Sequence, residues 1–357
     1  MGRRVLITGL GTYWGGRLAQ AMEADPDVDV IIGLDTRQPR VKLERTEYVR
    51  SDENYSILSR IVRATGVDTI AHMFLVVDST QMSSRLMHEI NVIGTMNLLA
   101  AASAAGSTVR TVAVKSTALV YGSSPNDPYW FRESDTRTSP PRTRVEKNLL
   151  EVESYVRDFA RDNPHVRLSL LRQCNVIGPD LETPLSKALR LPLVPKVAGY
   201  DPRFQLVHER DVVRAFMFAL HHELQGVYNV AGDGQVPWSE ITALAGKRGI
   251  PMPPFGIGAA TGPLRRLGLV DLPPEIITLL TYGRGVDNTK FKDAGFQYRY
   301  TTAGAVEAFV QSLRLRATVG RRPEYQYEDD IEQFFRHSPA VQRGPAGDAA
   351  TERVDDA

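Results

Sequence analysis

A glycine-rich turn near the amino terminus is the first segment whose residue types could do chemistry. The run Val5-Leu6-Ile7 predicts a buried strand, Gly9, Gly11 and Gly15 follow it, and a helical pattern begins within the same segment. Glycine permits a tight turn and a close approach of backbone to a ligand, and free N–H groups at a helix amino terminus attract phosphate. Strand, glycines and helix in this order predict a site for the pyrophosphate of a dinucleotide.

An acidic residue follows this turn at the distance that a dinucleotide site requires. Asp35 ends the second predicted strand and lies 20 residues after Gly15. A carboxylate there accepts hydrogen bonds from the adenosine ribose hydroxyls and repels a 2′-phosphate, so the sequence favours NAD over NADP. Arg37, two residues further on, could soften that preference. The alternative is a glycine-rich turn in an unrelated α/β protein, with Asp35 as a surface residue.

Strands and helices alternate along the first half of the chain, and these elements must position the residues above. Apolar, β-branched runs predict strands that are covered on both faces. They lie at residues 5–7, 28–34, 48–49, 67–73, 109–114 and 166–171. Between them, apolar residues recur at helical spacing, as at Leu149, Val152 and Val156. This alternation predicts an α/β fold with a doubly wound parallel sheet.

The character of the sequence changes after about residue 180. Prolines cluster there, and the helical and strand patterns are short and irregular. We therefore predict a dinucleotide-binding domain over residues 1–180, to which a segment at about 204–232 returns, and a smaller, irregular substrate lobe over residues 181–337. Residues 338–357 have few large apolar groups and are predicted to be a disordered tail.

Composition excludes several other classes of protein. The 357 residues include 43 Lys and Arg and 42 Asp and Glu, for a formal net charge of +1, so the chain lacks the basic excess of a general nucleic-acid or membrane-surface protein. The single cysteine, Cys174, excludes an internal disulfide framework and a cysteine-based zinc site, and we predict no metal site. No apolar run reaches the roughly 18 residues of a membrane span. We expect a cytoplasmic protein with no membrane span and no nucleic-acid partner.

Four further motifs follow the glycine turn in order. They read NVIGTMNLL at 91–99, KSTALVYG at 115–122, LRQCNVIGP at 171–179 and QLVHERDVV at 205–213. With these motifs the chain resembles the extended short-chain dehydrogenase/reductase superfamily, in particular its NAD-dependent epimerase/dehydratase family, over roughly residues 3–315. The resemblance implies a Rossmann-type sheet, NAD as the cofactor and a homodimer. Residues 119–128 and 193–195 resemble, more narrowly, a subgroup of actinobacterial UDP-glucose 4-epimerase-like proteins.

The resemblance also implies which residues contact the cofactor. The middle glycine of the family's usual TGxxGxxG pattern corresponds to Thr12, with Gly11 beside it. Asp52 takes the place of the aspartate that contacts the adenine amino group, and Met73 lies on the fourth strand beside the cofactor. The predicted dinucleotide contacts are Thr8, Gly9, Gly11, Thr12, Tyr13, Trp14, Gly15, Asp35, Thr36, Arg37, Asp52, Met73 and Lys147.

The family's catalytic motif, YxxxK, is incomplete in this chain. Lys147 matches the lysine that holds the nicotinamide ribose, but Thr143 stands where the family has tyrosine. The tyrosine serves as a general acid or base, and an alkyl hydroxyl is far too weak an acid to replace it. Thr117 takes the place of the Ser or Thr that hydrogen-bonds the reacting oxygen of the substrate. The predicted catalytic residues are therefore Thr117 and Lys147.

Three explanations of the missing tyrosine stay open. Another residue carries the proton, with Tyr121, Tyr129, His72 and Glu146 as candidates. Alternatively, the protein binds NAD and substrate but turns over slowly or not at all, or a tyrosine from elsewhere folds into place. For Tyr121 the simpler interpretation is an aromatic ring that packs under the loop. Lys115 could add charge to the same pocket, or it could be a surface residue.

On the substrate side, arginines could bind a diphosphate. The family's counterpart of Asn175 often contacts substrate phosphate, and Arg203 lies one residue before the family's phosphate-binding position. Arg284 lies in a Tyr-Gly-Arg-Gly segment that could face the cleft. The predicted substrate-binding residues are Thr117, Asn175, Arg203 and Arg284, and each arginine could instead be a solvated surface charge.

These expectations combine into one leading function and two alternatives. The leading function is an NAD-dependent epimerase/dehydratase-like oxidoreductase that acts on a nucleotide sugar by transient hydride transfer to the nicotinamide. Because of Thr143, the first alternative is a catalytically impaired NAD-binding sensor or scaffold. The second is a reductase of an apolar ketone, because residues 255–280 are unusually apolar. That stretch could equally be the core of the second lobe or a dimer surface.

Overall fold

Seven parallel strands form the central sheet of the protein. The computed structural model describes residues 2–78, 82–252 and 273–319. The strands are β1 (Arg3–Thr8), β2 (Val28–Asp35), β3 (Thr46–Arg50), β4 (Thr69–His72), β5 (Thr111–Thr117), β6 (Arg167–Gln173) and β11 (Gly226–Val230). Their order is β11-β6-β5-β4-β1-β2-β3, and each neighbouring pair is parallel. The six predicted strands are present, and β11 is a seventh that was not predicted.

Helices and short strand pairs connect and cover this sheet. The helices are α1 (Tyr13–Glu23), α2 (Tyr55–Thr65), α3 (Ser84–His88), α4 (Gly94–Ala102), α5 (Arg144–Asp162), α6 (Pro184–Arg190), α7 (Glu209–His221), α8 (Trp238–Leu244), α9 (Pro274–Tyr282), α10 (Thr289–Asp293) and α11 (Thr302–Val319). A π-helix (Glu89–Ile93) joins α3 to α4, and a 3₁₀-helix (Ala118–Tyr121) follows β5. The short pairs are β7 (Asn175–Ile177) with β10 (Leu206–His208), β8 (Leu193–Val197) with β13 (Arg248–Met252), and β9 (Arg203–Phe204) with β12 (Val236–Pro237).

Helices lie on both faces of the sheet, as the doubly wound prediction requires. Leu18 of α1 and Phe216 of α7 belong to one apolar cluster with Ile7 and Ala113 of the sheet. A second cluster joins α2, α4 and α5 to the opposite face, where the strands contribute Leu6, Ile70, Val112 and Leu170. Strand residues alternate between the two clusters, because successive side chains of a strand point to opposite faces.

The strand order reverses at β1, which lies between β4 and β2. In open parallel sheets, ligands bind outside the carboxyl ends of the strands at such a point. Gly9 follows the end of β1 directly, and Met73 follows the end of β4. The crevice between these two strand ends is therefore where a cofactor site is expected.

The sheet belongs to a compact unit that spans Met1–Gln311, and Ser312–Ala357 form a second unit. The predicted tail at 338–357 lies outside the described residues, as does most of the apolar stretch at 255–280. The predicted lobe boundary near residue 180 stays a prediction.

A buried ion pair ties β6 to α5 and β5. The Arg172 guanidinium donates to both carboxylate oxygens of Glu153, with Nη2 at 2.6 Å from Oε2 and Nε at 3.0 Å from Oε1. The Ser116 hydroxyl donates to the same carboxylate at 2.6 Å. Glu153 is 1% exposed and Arg172 is 6% exposed. These bonds fix the end of β5, where Thr117 is the next residue.

Removing the Glu153 carboxylate should leave the Arg172 guanidinium buried without its counter-charge. We expect Glu153→Ala to lower the free energy of unfolding by about 3–5 kcal/mol, measured by urea unfolding. Asp158→Ala removes an exposed partner of Arg161 and should change it by no more than about 0.5 kcal/mol. Equal effects of the two variants would contradict the role given to the buried pair.

Candidate functional site

The turn between β1 and α1 requires glycine at Gly9, Gly11 and Gly15. Gly9 has a φ of +73°, which favours glycine. A Cβ on Gly15 would lie 2.1 Å from the Gly9 carbonyl oxygen, and one on Gly11 would lie 2.5 Å from the Arg37 carbonyl oxygen. Both distances are impossible for real atoms, so the first turn of α1 approaches β1 closely only because these residues are glycine.

The helix amino terminus after this turn offers free donors. Thr12 caps α1, because its Oγ1 accepts from the Gly15 N–H at 3.1 Å and donates to the Gly9 carbonyl at 2.6 Å. Within the described ranges, the backbone N–H groups of Tyr13 and Trp14 have no acceptor. Two free N–H groups beside a turn without side chains suit a pyrophosphate. The predicted residues of the turn therefore fit a dinucleotide.

Asp35 holds the turn from the neighbouring strand. It ends β2 and is 5% exposed. Its Oδ2 accepts from the Gly11 N–H at 3.0 Å and its Oδ1 accepts from the Arg37 N–H at 2.9 Å. Each carboxylate oxygen can accept a further hydrogen bond, so ribose hydroxyls can still bind there. Thr36 and Arg37, predicted beside it, are exposed.

Thr8 takes part in a buried set of hydrogen bonds beside the residues that follow β3. The Thr8 hydroxyl lies 2.6 Å from His72 Nδ1, and His72 Nε2 lies 2.9 Å from the Thr95 hydroxyl. These buried contacts join β1, β4 and α4. Asp52 is exposed, whereas its neighbour Glu53 has a side chain only 8% exposed, 3.6 Å from His72 Nδ1.

The Glu53 and His72 side chains form no ion pair, because burial neutralises both. Burial raises the pKa of the Glu53 carboxyl to about 8 and lowers the pKa of His72 to about 3. At neutral pH a protonated acid therefore lies next to a neutral imidazole. The sequence analysis did not single out Glu53, and its only signal was its position directly after Asp52.

The segment after β4 is clamped along the crevice. The Met73 N–H donates to the Thr8 carbonyl at 3.2 Å, and the Met73 side chain is buried. Asn91, in the π-helix, accepts from the Val76 N–H at 2.8 Å and donates to the Val76 carbonyl at 2.7 Å. The fully buried Asn91 thus has a structural role.

Three of the four predicted substrate residues meet at one cavity. The cavity has a volume of about 120 Å³, and Thr117, Asn175 and Arg284 line it together with apolar side chains that include Ile276 and Leu279. Thr117 ends β5, and its Oγ1 accepts from the Leu119 N–H at 3.3 Å. Arg203 does not line this cavity, because it lies exposed on β9.

Arg284 is the cationic group of the cavity. Its Nη2 donates to the Ser123 hydroxyl at 3.2 Å, and its Nε is buried without an acceptor. Burial lowers the pKa of its guanidinium to about 10, so the group stays protonated at neutral pH. A buried donor without a partner carries a desolvation cost that an anionic ligand would relieve.

Thr143 is the amino-terminal cap of α5 and forms a capping box with Glu146. Its Oγ1 accepts from the Glu146 N–H at 3.2 Å, and Glu146 Oε2 accepts from the Arg142 N–H at 2.6 Å. The Glu146 carboxylate also pairs with Arg137 at 3.2 Å. Glu146 is therefore engaged in helix capping. Lys147, in the first turn of α5, is exposed.

Tyr121 packs as the simpler interpretation expected. Its ring stacks on Phe131 with centroids 4.6 Å apart. Its hydroxyl donates to Asn229 Oδ1 at 2.9 Å and accepts from Arg172 at 2.7 Å, and burial raises its pKa to about 12. Of the other proposed proton carriers, Tyr129 is 62% exposed.

Comparison with known proteins decides the family. The sequence model of the NAD dependent epimerase/dehydratase family matches residues 5–231. The chain belongs to this family. An uncharacterized protein of Mycobacterium tuberculosis is 35% identical over 318 residues, which cover 87% of this chain and 84% of that relative.

Solved structures share the fold at lower identity. MoeE5 in complex with UDP-glucose and NAD has a TM-score of 0.68 and 20% identity, over 88% of this chain and 99% of that chain. UDP-glucose 4-epimerase of Thermotoga maritima with UDP-glucose has a TM-score of 0.67 and 18% identity, over 88% and 99%. The family resemblance and the Rossmann-type fold are thus confirmed, and the narrower actinobacterial subgroup stays a prediction.

Two features are absent from residues 2–78, 82–252 and 273–319. No helix in those ranges is long and apolar enough to cross a membrane. No three His, Cys, Asp or Glu side chains there are grouped to hold a metal ion.

Adding one methyl group to the glycine turn should open it. In Gly15→Ala the new Cβ must push the Gly9 carbonyl away, so we expect a loss of about 1–3 kcal/mol in the free energy of unfolding and at least tenfold weaker NADH binding, followed by nucleotide fluorescence. Gly249→Ala is the matched control, because its Cβ would meet no atom closer than 3.6 Å. Unchanged NADH binding in Gly15→Ala would contradict the assignment of the turn.

Proposed function

We propose that the protein binds NAD and uses it on a nucleotide sugar, as an epimerase or dehydratase. The observation that carries this proposal is the cavity where Thr117, Asn175 and Arg284 meet. The name of the chain's family, NAD dependent epimerase/dehydratase, supports the same chemistry. The relative MoeE5 holds UDP-glucose and NAD in a structure of the same fold, which supports both ligands.

The cofactor would be held by backbone groups and one carboxylate. The Tyr13 and Trp14 N–H groups would donate to the pyrophosphate, and Asp35 would accept from the adenosine ribose hydroxyls. NAD, when bound, supplies a hydride acceptor for the substrate carbon. Lys147 stays the predicted contact of the nicotinamide ribose, although its side chain must turn inward from its exposed position to reach it.

The substrate would be held by the residues of the cavity. Arg284 would donate its unpartnered Nε–H to the diphosphate of a nucleotide sugar, and Asn175 would add a neutral amide donor. The Thr117 hydroxyl would donate to the substrate oxygen whose carbon is oxidised. None of these three residues is itself basic enough to remove the hydroxyl proton at neutral pH.

A second candidate function is an NAD-binding sensor or scaffold with little turnover. The observation in its favour is the capping box at Thr143, because the residue at the catalytic tyrosine position serves the start of a helix instead. A reductase of an apolar ketone is the third candidate. Ile276 and Leu279 favour it, since both line the cavity.

The homodimer and the cytoplasmic location stay predictions. Large apolar side chains at Leu86, Ile93 and Met96 are 37–45% exposed along α3, the π-helix and α4. An exposed apolar row of this kind is consistent with a subunit contact.

The charge at Asp35 should set the preference between NAD and NADP. We expect Asp35→Asn to bind NAD at least tenfold more weakly, because a hydrogen bond to a charged group is worth about 1.5–3 kcal/mol, and to lose its discrimination against NADP. Isothermal titration of both dinucleotides measures this, with Asp158→Asn on the exposed face of α5 as the control. Wild-type protein that binds NAD and NADP equally would contradict the assignment.

Restoring the tyrosine should separate the enzyme from the sensor. If the protein is a sensor that lacks only the phenol, Thr143→Tyr should raise the turnover of UDP- or dTDP-glucose with NAD by about 10²–10⁴-fold, followed by proton NMR of the sugar, whereas an enzyme with another proton carrier should gain little. The substitution should also cost about 1 kcal/mol of stability through loss of the helix cap. Thr143→Phe removes the same cap but adds no phenol, so it is the matched control. Strong wild-type turnover would exclude the sensor. Dinucleotide binding without turnover in either protein would exclude the nucleotide-sugar enzyme.

A further inference from the structure

Lys115 is a buried cation at the carboxyl edge of the sheet that neither the family motif nor the packing of the core accounts for. It lies on β5 in register with Leu171 of β6, two residues before Thr117, so its side chain points to the same face of the sheet as Thr117. Thr117 lines the substrate cavity. Lys115 therefore lies directly behind a cavity residue, on the face that α1 covers.

The Lys115 amine reaches the crevice between the strand ends. Its Nζ lies 5.6 Å from the ring centroid of Trp14, in the first turn of α1. The same Nζ donates to the carbonyl of Leu75, in the segment after β4, at 3.4 Å. The amine thus contacts one residue of the first turn of α1 and one residue of the segment after β4, at the crevice where a cofactor site is expected. A dinucleotide that runs from the glycine turn along this crevice toward the substrate cavity would pass Lys115.

The Lys115 environment disfavours its charge. The residue is 7% exposed, and no carboxylate among the described residues lies within ion-pairing distance of it. Burying an ammonium without a counter-charge is costly, and here burial lowers the pKa of the Lys115 amine to about 7.

The other titratable groups around β5 are engaged elsewhere. His72 on β4 lies between Thr8 and Thr95, and its pKa of about 3 keeps it neutral. On the opposite face Glu153 and Arg172 pair with each other. On α7, Glu209 accepts from the N–H groups of Asp180 and Leu181. Burial raises the pKa of Tyr13 of α1, which lies near Glu209.

We propose that Lys115 supplies the proton-exchanging group that this site lacks at Thr143. This inference rests on the proposed function. When the bound alcohol is oxidised, its carbon would give a hydride to the nicotinamide cofactor and its hydroxyl would give a proton to the neutral Nζ of Lys115. The products are a ketone, the reduced cofactor and an ammonium. Reduction of the ketone returns the hydride to carbon and the proton to oxygen, which leaves Lys115 neutral again.

The charge of Lys115 should appear in cofactor binding as well as in turnover. Below a pH of about 7 the ammonium faces the positive ring of NAD, so NAD affinity should rise roughly tenfold as pH increases from 6 to 8. NADH, whose ring is neutral, should show no such rise. Lys115→Met keeps the length of the side chain and removes the charge, so its NAD affinity should be independent of pH over this range. Lys115→Arg stays charged and should bind NAD weakly throughout.

Isothermal titration of NAD and NADH between pH 6 and 8 tests the inference. Lys290→Met changes an exposed lysine beside β11, and Glu53→Gln removes a second buried group whose pKa lies near neutrality. Both variants should keep the wild-type pH dependence. Turnover in Lys115→Met should fall by about 10²–10⁴-fold. Wild-type protein that binds no NAD at any pH overturns the proposed function. If wild type binds NAD with the same pH dependence as Lys115→Met, only the inference about Lys115 is overturned.

Discussion

The close approach of α1 to β1 is the constraint on which the rest of the site depends. A Cβ on Gly15 would lie 2.1 Å from the Gly9 carbonyl oxygen, so α1 can begin where it does only because position 15 has no side chain. Two N–H groups of the first turn then point into the crevice, and Asp35 fixes the turn through the Gly11 N–H. The same turn places the Trp14 ring 5.6 Å from Lys115 Nζ. Each of these contacts would shift if the helix started further from the strand.

The sequence predicted what depends on strand order and spacing. A glycine turn after β1, an acid at the end of β2 and a polar residue at the end of β5 must converge, because the carboxyl ends of parallel strands share one edge of the sheet. Thr117 reaches the cavity for this reason, whereas Asn175 starts β7 and Arg284 lies in the loop after α9, so their arrival at the same cavity depends on the chain beyond the central sheet. Asp35 likewise lies next to the turn, as its spacing indicated.

The direction of individual side chains could not be predicted in the same way. Thr8 was predicted to contact the cofactor, and spacing alone did not show that its hydroxyl lies against His72. The burial of Lys115 depends on the segment after β4, which the Asn91 clamp holds in place from a distant helix. Arg203 stays exposed on β9 while its neighbour Phe204 is buried. Such outcomes depend on tertiary packing, which the pattern of a single segment does not contain.

The capping box at Thr143 sets the chemistry of this position against the stability of α5. The Thr143 hydroxyl accepts from the Glu146 N–H at the start of the helix, and the Glu146 carboxylate accepts from the Thr143 N–H in return. A phenol at that position is too far from the backbone to do the same. A tyrosine at position 143 would therefore supply an acid–base group only at the loss of the helix cap, so a single side chain cannot serve both needs.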